Sequence, residues 1–221
     1  PACVRATVAL LRGRGLGMLS LLSTLSTETW WERVIQPVAS FELLRHFPLE
    51  DVNDPRNKRA FANGQFMLFE REAYERVGGH EAVKDALLED VAFAKRLIRP
   101  RFHTAQGLLL ADGMHRCRMY ESLEAFRRGW KRIFTESAGR RPDRLRRWAW
   151  QLVGMQVVMP CASVVTIGLG VAAFSAMGDV GLGASALGLG ASSLLTWLLA
   201  NVGLMRVQRA PWWSGAAGWY G

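Results

Sequence analysis

Cysteine is scarce in this chain. Cys3, Cys117 and Cys161 are odd in number and show no CxxC spacing, so neither a zinc site nor a disulfide framework is indicated and a reducing cytoplasm fits. No signal peptide opens the sequence, which starts at Pro1 without an initiator Met and enters a helix-like run, Val4 to Leu11, closed by Gly13 and Gly15. No internal repeat, heptad or low-complexity tract stands out. At 221 residues, half of them apolar, the chain has room for one ordinary core plus membrane segments, but not for two large soluble domains.

Charge is missing over two long stretches, Trp148 to Met177 and Val180 to Met205. Each exceeds the roughly 20 residues that a helix needs to cross the hydrocarbon core, so a transmembrane hairpin is expected over 148–205. The formal net charge of +9 is unevenly spread, since only Arg206 and Arg209 lie beyond Arg147. Such basicity usually points to nucleic acid. Here the basic residues crowd against an apolar tail, with five arginines between Arg140 and Arg147, which suits an anionic leaflet and argues for no nucleic-acid partner. Arginines before the first run and after the second, with only Asp179 between, place both ends of the hairpin in the cytoplasm. The expected localisation is the inner (cell) membrane, multi-pass, with the globular part cytoplasmic. Gly181, Gly183, Gly188 and Gly190 give the second span a small face for close helix packing. Pro211-Trp212-Trp213 reads as an interfacial girdle, so 206–221 is an interfacial tail cut short of a further span, and 135–147 a basic juxtamembrane segment.

Ahead of the hairpin, helical and strand-like patterns alternate, which predicts an α/β domain. Leu16 to Leu22 reads as a buried strand of a largely parallel sheet. From Thr27 to Phe47 the residues Trp30, Trp31, Val34, Ile35, Val38, Phe41 and Leu44 trace a helical face, with Ser26 or Thr27 as N-cap and Pro37 as a kink. The paired tryptophans suit either a bilayer interface or packing onto the protein's own sheet. Val52 to Arg59 is a polar loop, Phe66 to Phe69 a strand, Phe102 to Ala111 another, and Asp112-Gly113 a turn. Tyr120 to Phe134 is amphipathic, with Leu123, Phe126, Trp130 and Ile133 opposed to basic residues, the profile of an interfacial helix.

The most informative stretch runs from Ala62 to Asp90. The helix Leu88 to Arg99 carries Val91, Ala94, Leu97 and Ile98 on one face and opens on Glu89-Asp90, where the helix dipole keeps carboxylates ionised and ready to accept a proton. Plain helix capping is the competing reading. Asn63-Gly64-Gln65 stands at a strand entrance. A glycine there lets the backbone approach a sugar and the amides can bond its hydroxyls; a hairpin turn is the bland alternative. The ordered series Asn63-Gly64-Gln65-Phe66, Arg71-Glu72-Ala73-Tyr74, Val77-Gly78-Gly79-His80-Glu81 and Glu89-Asp90-Val91 resembles the acceptor half of membrane-bound family 2 glycosyltransferases. The nearest in kind are bacterial lipid glycosyltransferases of the carotenoid and hopanoid type, and the resemblance covers about Pro1 to Phe134.

The resemblance implies a partial GT-A (nucleotide-diphospho-sugar transferase) fold over 1–134 and an inverting transfer from a nucleotide-sugar donor to a membrane lipid acceptor. Asp90 is then the general base beside Glu89, with Asn63, Gly64, Gln65, Arg118 and Trp130 binding substrate. It also implies a divalent metal, Mg or Mn, for which His115 is a candidate ligand, although a surface or core histidine is the commoner reading. The metal carboxylates would lie upstream: no Asp precedes Asp51, so the chain reads as a fragment without the donor-binding half, inactive alone. Related enzymes carry a (Gln/Arg)-x-x-Arg-Trp motif near Trp130; here Phe126 and Gly129 replace its first and fourth residues. The reading from another class is a non-catalytic membrane-anchored module that binds anionic lipid or a partner protein. Donor sugar, acceptor lipid and oligomeric state are not legible.

Overall fold

The structure, a computed structural model, describes residues 2–57, 59–102, 104–176 and 178–207. It is mixed α/β and mostly helical, and it divides into two compact units, Pro1–Ser26 with Glu42–Ser137, and Thr27–Phe41 with the described part of Ala138–Gly221. In chain order the elements are α1 (Ala2–Gly13), β1 (Met18–Leu22), β2 (Thr24–Leu25), α2 (Trp30–His46), α3 (Leu49–Asn53), β3 (Met67–Phe69), α4 (Arg71–Arg76), a 3-10 turn (His80–Val83), α5 (Glu89–Leu97), β4 (Gln106–Leu110), β5 (Arg116–Cys117), α6 (Leu123–Ser137), α7 (Pro142–Val153), a π turn (Gly154–Val158), α8 (Met159–Ala176) and α9 (Val180–Val207).

In the first unit β1 is the centre of a three-stranded sheet, order β3-β1-β4. It pairs parallel with β4, Met18 opposite Gln106 and Leu22 opposite Leu110. Against β3 it pairs antiparallel, Met18 opposite Phe69 and Ser20 opposite Met67. The sheet is therefore mixed, not parallel throughout. Met18, Leu19, Ser20 and Leu21 are buried in an unbroken run, as a strand covered on both faces requires. One core joins Met18 to Phe93, Ala94 and Leu97 of α5 and to Val77 and Val83; a second joins Leu108, Val91, Val52 and Phe61. The helical face of α5 is thus the layer that covers the sheet, and it fixes where the start of that helix lies.

Most of the resembled motif turns out to be architecture. The left-handed glycines Gly78 (φ 91°) and Gly79 (φ 56°) turn the chain after α4, and a side chain on Gly79 would meet the Tyr74 ring at 3.1 Å. The Tyr74 hydroxyl bonds His80 Nδ1 at 2.6 Å and accepts the His80 backbone N–H at 3.1 Å, while Phe93 packs on both rings. Tyr74, Gly78, Gly79 and His80 form one knot that holds α4 against α5.

The second unit includes the first part of α2, to Phe41, and the hairpin. Glu32 reaches back to accept the backbone N–H groups of Glu28 and Thr29 at 2.8 and 2.7 Å. This one-sided cap begins α2 after Thr29, two or three residues later than the expected caps Ser26 and Thr27; the Glu32 carboxylate, three residues beyond Thr29, decides the start. Val38 packs with Leu204 and Met205 of α9 and with Phe41 and Leu152.

Two helices are long and apolar enough to cross a membrane, Pro142–Ala176 and Val180–Arg206. The first contains the π turn, in which the Met159 N–H bonds the Gly154 carbonyl. Pro160 accounts for it: with no N–H at 160, the Met155 and Gln156 carbonyls lose their helical donor. The Trp197 indole N–H, from α9, replaces that donor on Met155 at 3.0 Å.

The α8/α9 seam is built on small residues at seven-residue spacing. Gln156, Ser163 and Gly170 are buried on one helix and Gly183, Gly190, Trp197 and Leu204 on the other. A Cβ on Gly190 would lie 2.9 Å from the Ser163 carbonyl oxygen, and one on Gly170 2.9 Å from the Leu187 nitrogen. Ser163 and Ser193 share a hydroxyl hydrogen bond of 2.9 Å. Of the four glycines expected to form the small face, Gly183 and Gly190 do so; Gly188 has open space around it and Gly181 meets only Asp179. The seven-residue spacing is not an apolar heptad, because most of these positions are filled by Gly, Ser, Gln and Trp. The girdle at 211–213 lies outside the described residues.

Candidate functional site

The carboxyl ends of β1 and β4 gather the candidate chemistry, which is where sites form in open α/β sheets. Three chain segments meet there: the loop 63–66 that precedes β3, the start of α5, and the segment 112–115 that follows β4. Ser20 Oγ accepts the Asn63 N–H at 2.8 Å and donates to the Asn63 carbonyl at 3.1 Å. The Asn63 amide donates to the Leu21 carbonyl at 3.1 Å, and the Leu21 N–H bonds the Phe66 carbonyl at 3.1 Å. Within the loop the Phe66 N–H returns to the Asn63 carbonyl at 3.3 Å. The backbone turn is present, and the group that approaches the backbone at Gly64 is the Asp90 carboxyl.

At Gly64 the absence of a side chain matters. Its N–H donates to Asp90 Oδ2 at 2.8 Å, and a Cβ built there would lie 3.3 Å from the same oxygen. The second oxygen, Oδ1, accepts the Val91 N–H at 2.7 Å. Both Glu89 and Asp90 stand in the first turn of α5. Burial pushes the Asp90 carboxyl above the usual carboxylate range; the N–H bonds from Val91 and Gly64 pull it back, and the charge on Glu89 adds to the rise. Desolvation is the larger effect, so Asp90 is a carboxylate more basic than an exposed aspartate. Glu89 itself is exposed.

On the other side of the loop stands His115. Its Nδ1 shares a hydrogen bond of 2.8 Å with Ser23 Oγ, and its ring meets Phe66 edge-on with centroids 5.5 Å apart. Ser23, the residue just past β1, escaped sequence reading because its partner lies 92 positions away; its place at the carboxyl end of a central strand was the available signal. The loop 63–66 thus touches Asp90 at Gly64 and His115 at Phe66.

The remaining expected site residues are placed differently. Gln65 donates its N–H to Asn63 Oδ1 at 3.4 Å, and its buried side-chain oxygen meets no donor among the described residues. Arg118 is exposed just beyond β5. Trp130 is buried on α6 between Phe126 and Phe134, ring centroids 5.6 and 5.4 Å away, and its indole N–H meets no acceptor among the described residues. Gly129, beside it, has a local explanation: a Cβ there would stand 2.2 Å from the Tyr120 hydroxyl.

Among the described residues no group of three or more His, Cys, Asp or Glu side chains is disposed to hold a metal ion. His115 faces a serine and a phenylalanine, not a carboxylate. By themselves the described residues do not make up a complete metal site, and the resemblance puts its main carboxylates upstream. Comparison with protein families, with curated proteins and with solved structures found no match.

Proposed function

We propose that this chain is the acceptor-side part of an inverting glycosyltransferase of the GT-A fold, moving a sugar from a nucleotide-sugar donor to a hydroxyl of a membrane lipid. The observation that carries the reading is Asp90: a part-buried carboxyl of raised basicity, held by the Gly64 N–H at the carboxyl edge of a buried central strand. The order of the motif stretches along the chain and the two helices of spanning length support it. Asp90 takes the proton of the acceptor hydroxyl as its oxygen attacks the anomeric carbon, and the nucleoside diphosphate leaves from the opposite side. The Gly64 and Val91 N–H groups fix the carboxylate's position. His115, fixed through Ser23, and the side chain of Gln65 offer polar atoms beside the same loop. Membrane residence, with the first unit on the cytoplasmic side where nucleotide sugars are found, belongs to the same proposal, as does any divalent metal.

One observation favours a second reading, in which Asp90 only ties the 63–66 loop to α5: both of its oxygens already accept backbone N–H groups. Asp90→Asn separates the two. It keeps one acceptor oxygen, and with it one of the two backbone bonds, but cannot take a proton. For the base, turnover in the full-length protein falls by roughly 10² to 10⁴ with donor affinity nearly unchanged. For the tie, activity follows thermal stability. Near-normal turnover in that variant removes the assigned mechanism.

A further inference from the structure

The first two turns of α7 carry an uncompensated basic group that neither the fold nor the proposed reaction uses. The acid of this helix's first turn, Asp143, is taken by Arg141 at 2.9 Å. Arg146 and Arg147 are exposed and pair with no acid among the described residues. Three and four residues on, Trp150 stands 70% exposed. At 100° per residue, Trp150 lies 40° from Arg146 and 60° from Arg147 around the helix, so two guanidinium groups sit one turn above one indole. Below Trp150 the same side continues into Val153, also exposed, and no charge follows until Asp179. Leu145, Trp148 and Leu152 turn to the better-covered side.

We infer that this face is a binding site for one anionic phospholipid. Read down the helix, it presents two cations, then an indole, then an aliphatic side chain, over about 10 Å from Arg146 to Val153. A phospholipid presents the matching order: phosphodiester, ester carbonyls, acyl chain. Guanidinium groups donate to the phosphate oxygens in a planar fork. The indole offers its N–H at ester depth and its ring to the chains. A zwitterionic lipid brings its own ammonium against the two arginines, whereas an anionic one brings only the complementary charge, so the selectivity is for net negative headgroups. The site rests on the hairpin lying in a bilayer and is independent of any transferase activity.

The test uses the full chain in bilayers of phosphatidylcholine with spin-labelled phosphatidylglycerol or spin-labelled phosphatidylcholine, reading the motionally restricted fraction. Expected is a preference for the anionic label of about threefold or more at low salt, falling toward unity in 1 M salt. Arg146→Gln with Arg147→Gln removes the preference, and Arg146→Lys with Arg147→Lys retains most of it, which separates loss of charge from loss of fold. Trp150→Leu lowers retention of both labels. The inference is overturned if the wild type shows no preference, or if the double Gln variant keeps it; Arg99→Gln with Arg101→Gln, in the other unit, is expected to keep it.

Discussion

Asp90 shows how one side chain is pulled in two directions by its surroundings. The backbone N–H groups of Gly64 and Val91 favour the carboxylate, yet burial outweighs them and the folded-state pKa lies above that of the unfolded chain. A carboxyl shifted upward costs stability when ionised: the cost is absent below the unfolded pKa, near 4, and complete above the folded one. Asp90→Asn is therefore expected to gain stability relative to wild type as pH rises through that window, less whatever the lost N–H bond contributed. Melting temperatures of the two proteins between pH 4 and pH 7 check this, and a constant difference across the range contradicts the raised pKa. Under the proposed transfer, the same shift would place the acidic limb of the kcat/KM profile above the ordinary aspartate range. Asn63, by contrast, was legible as a sugar-binding amide only by resemblance. Its side chain is occupied by the Leu21 carbonyl, a bond spanning 42 positions that no local pattern announces.

At the scale of elements, glycines with crowded surroundings give the sharpest expectations. Gly129→Ala drives a methyl into Tyr120, which is itself packed edge-on against Phe126; the variant is expected to lose about 1–3 kcal/mol, read by thermal or denaturant unfolding. In the hairpin, Gly190→Val meets the Ser163 carbonyl and the Ile167 backbone, whereas Gly188→Val meets nothing within 4 Å. The first is expected to lower the melting temperature in detergent and the second to leave it unchanged. Equal effects would mean that the seam is not where it is described. These elements also show what the sequence could carry. The α5 face, the buried run of β1 and the two uncharged spans were legible because hydropathy alone sets them. The antiparallel pairing of β3, the start of α2 at Thr29 and the π turn before Pro160 were not, and of the small-residue seam only Gly183 and Gly190 were. Each depends on a backbone partner or on the absence of a side chain, and neither leaves a hydropathy signal.

For the whole molecule the governing feature is the separation of charge from length. The helix Pro142–Ala176 has 35 residues, about 52 Å at 1.5 Å per residue, against roughly 30 Å of hydrocarbon. Its charged end must therefore stand outside the apolar slab, and the arginines between 140 and 147 mark how far it enters. The return helix, Val180–Arg206, ends on a cation at the same side of the hairpin. In the proposed arrangement, cations at both open ends and Asp179 alone at the closed end would put the open ends on the cytoplasmic face, where Lys and Arg are in excess. A reporter active only outside the cytoplasm is expected to work when fused at Asp179 and to fail when fused after Arg209, with a cytoplasm-active reporter giving the opposite pair. If the closed end reads as cytoplasmic, the first unit is carried to the outer side, away from nucleotide sugars, and the proposed transfer loses its donor even if Asp90 is as basic as its burial requires.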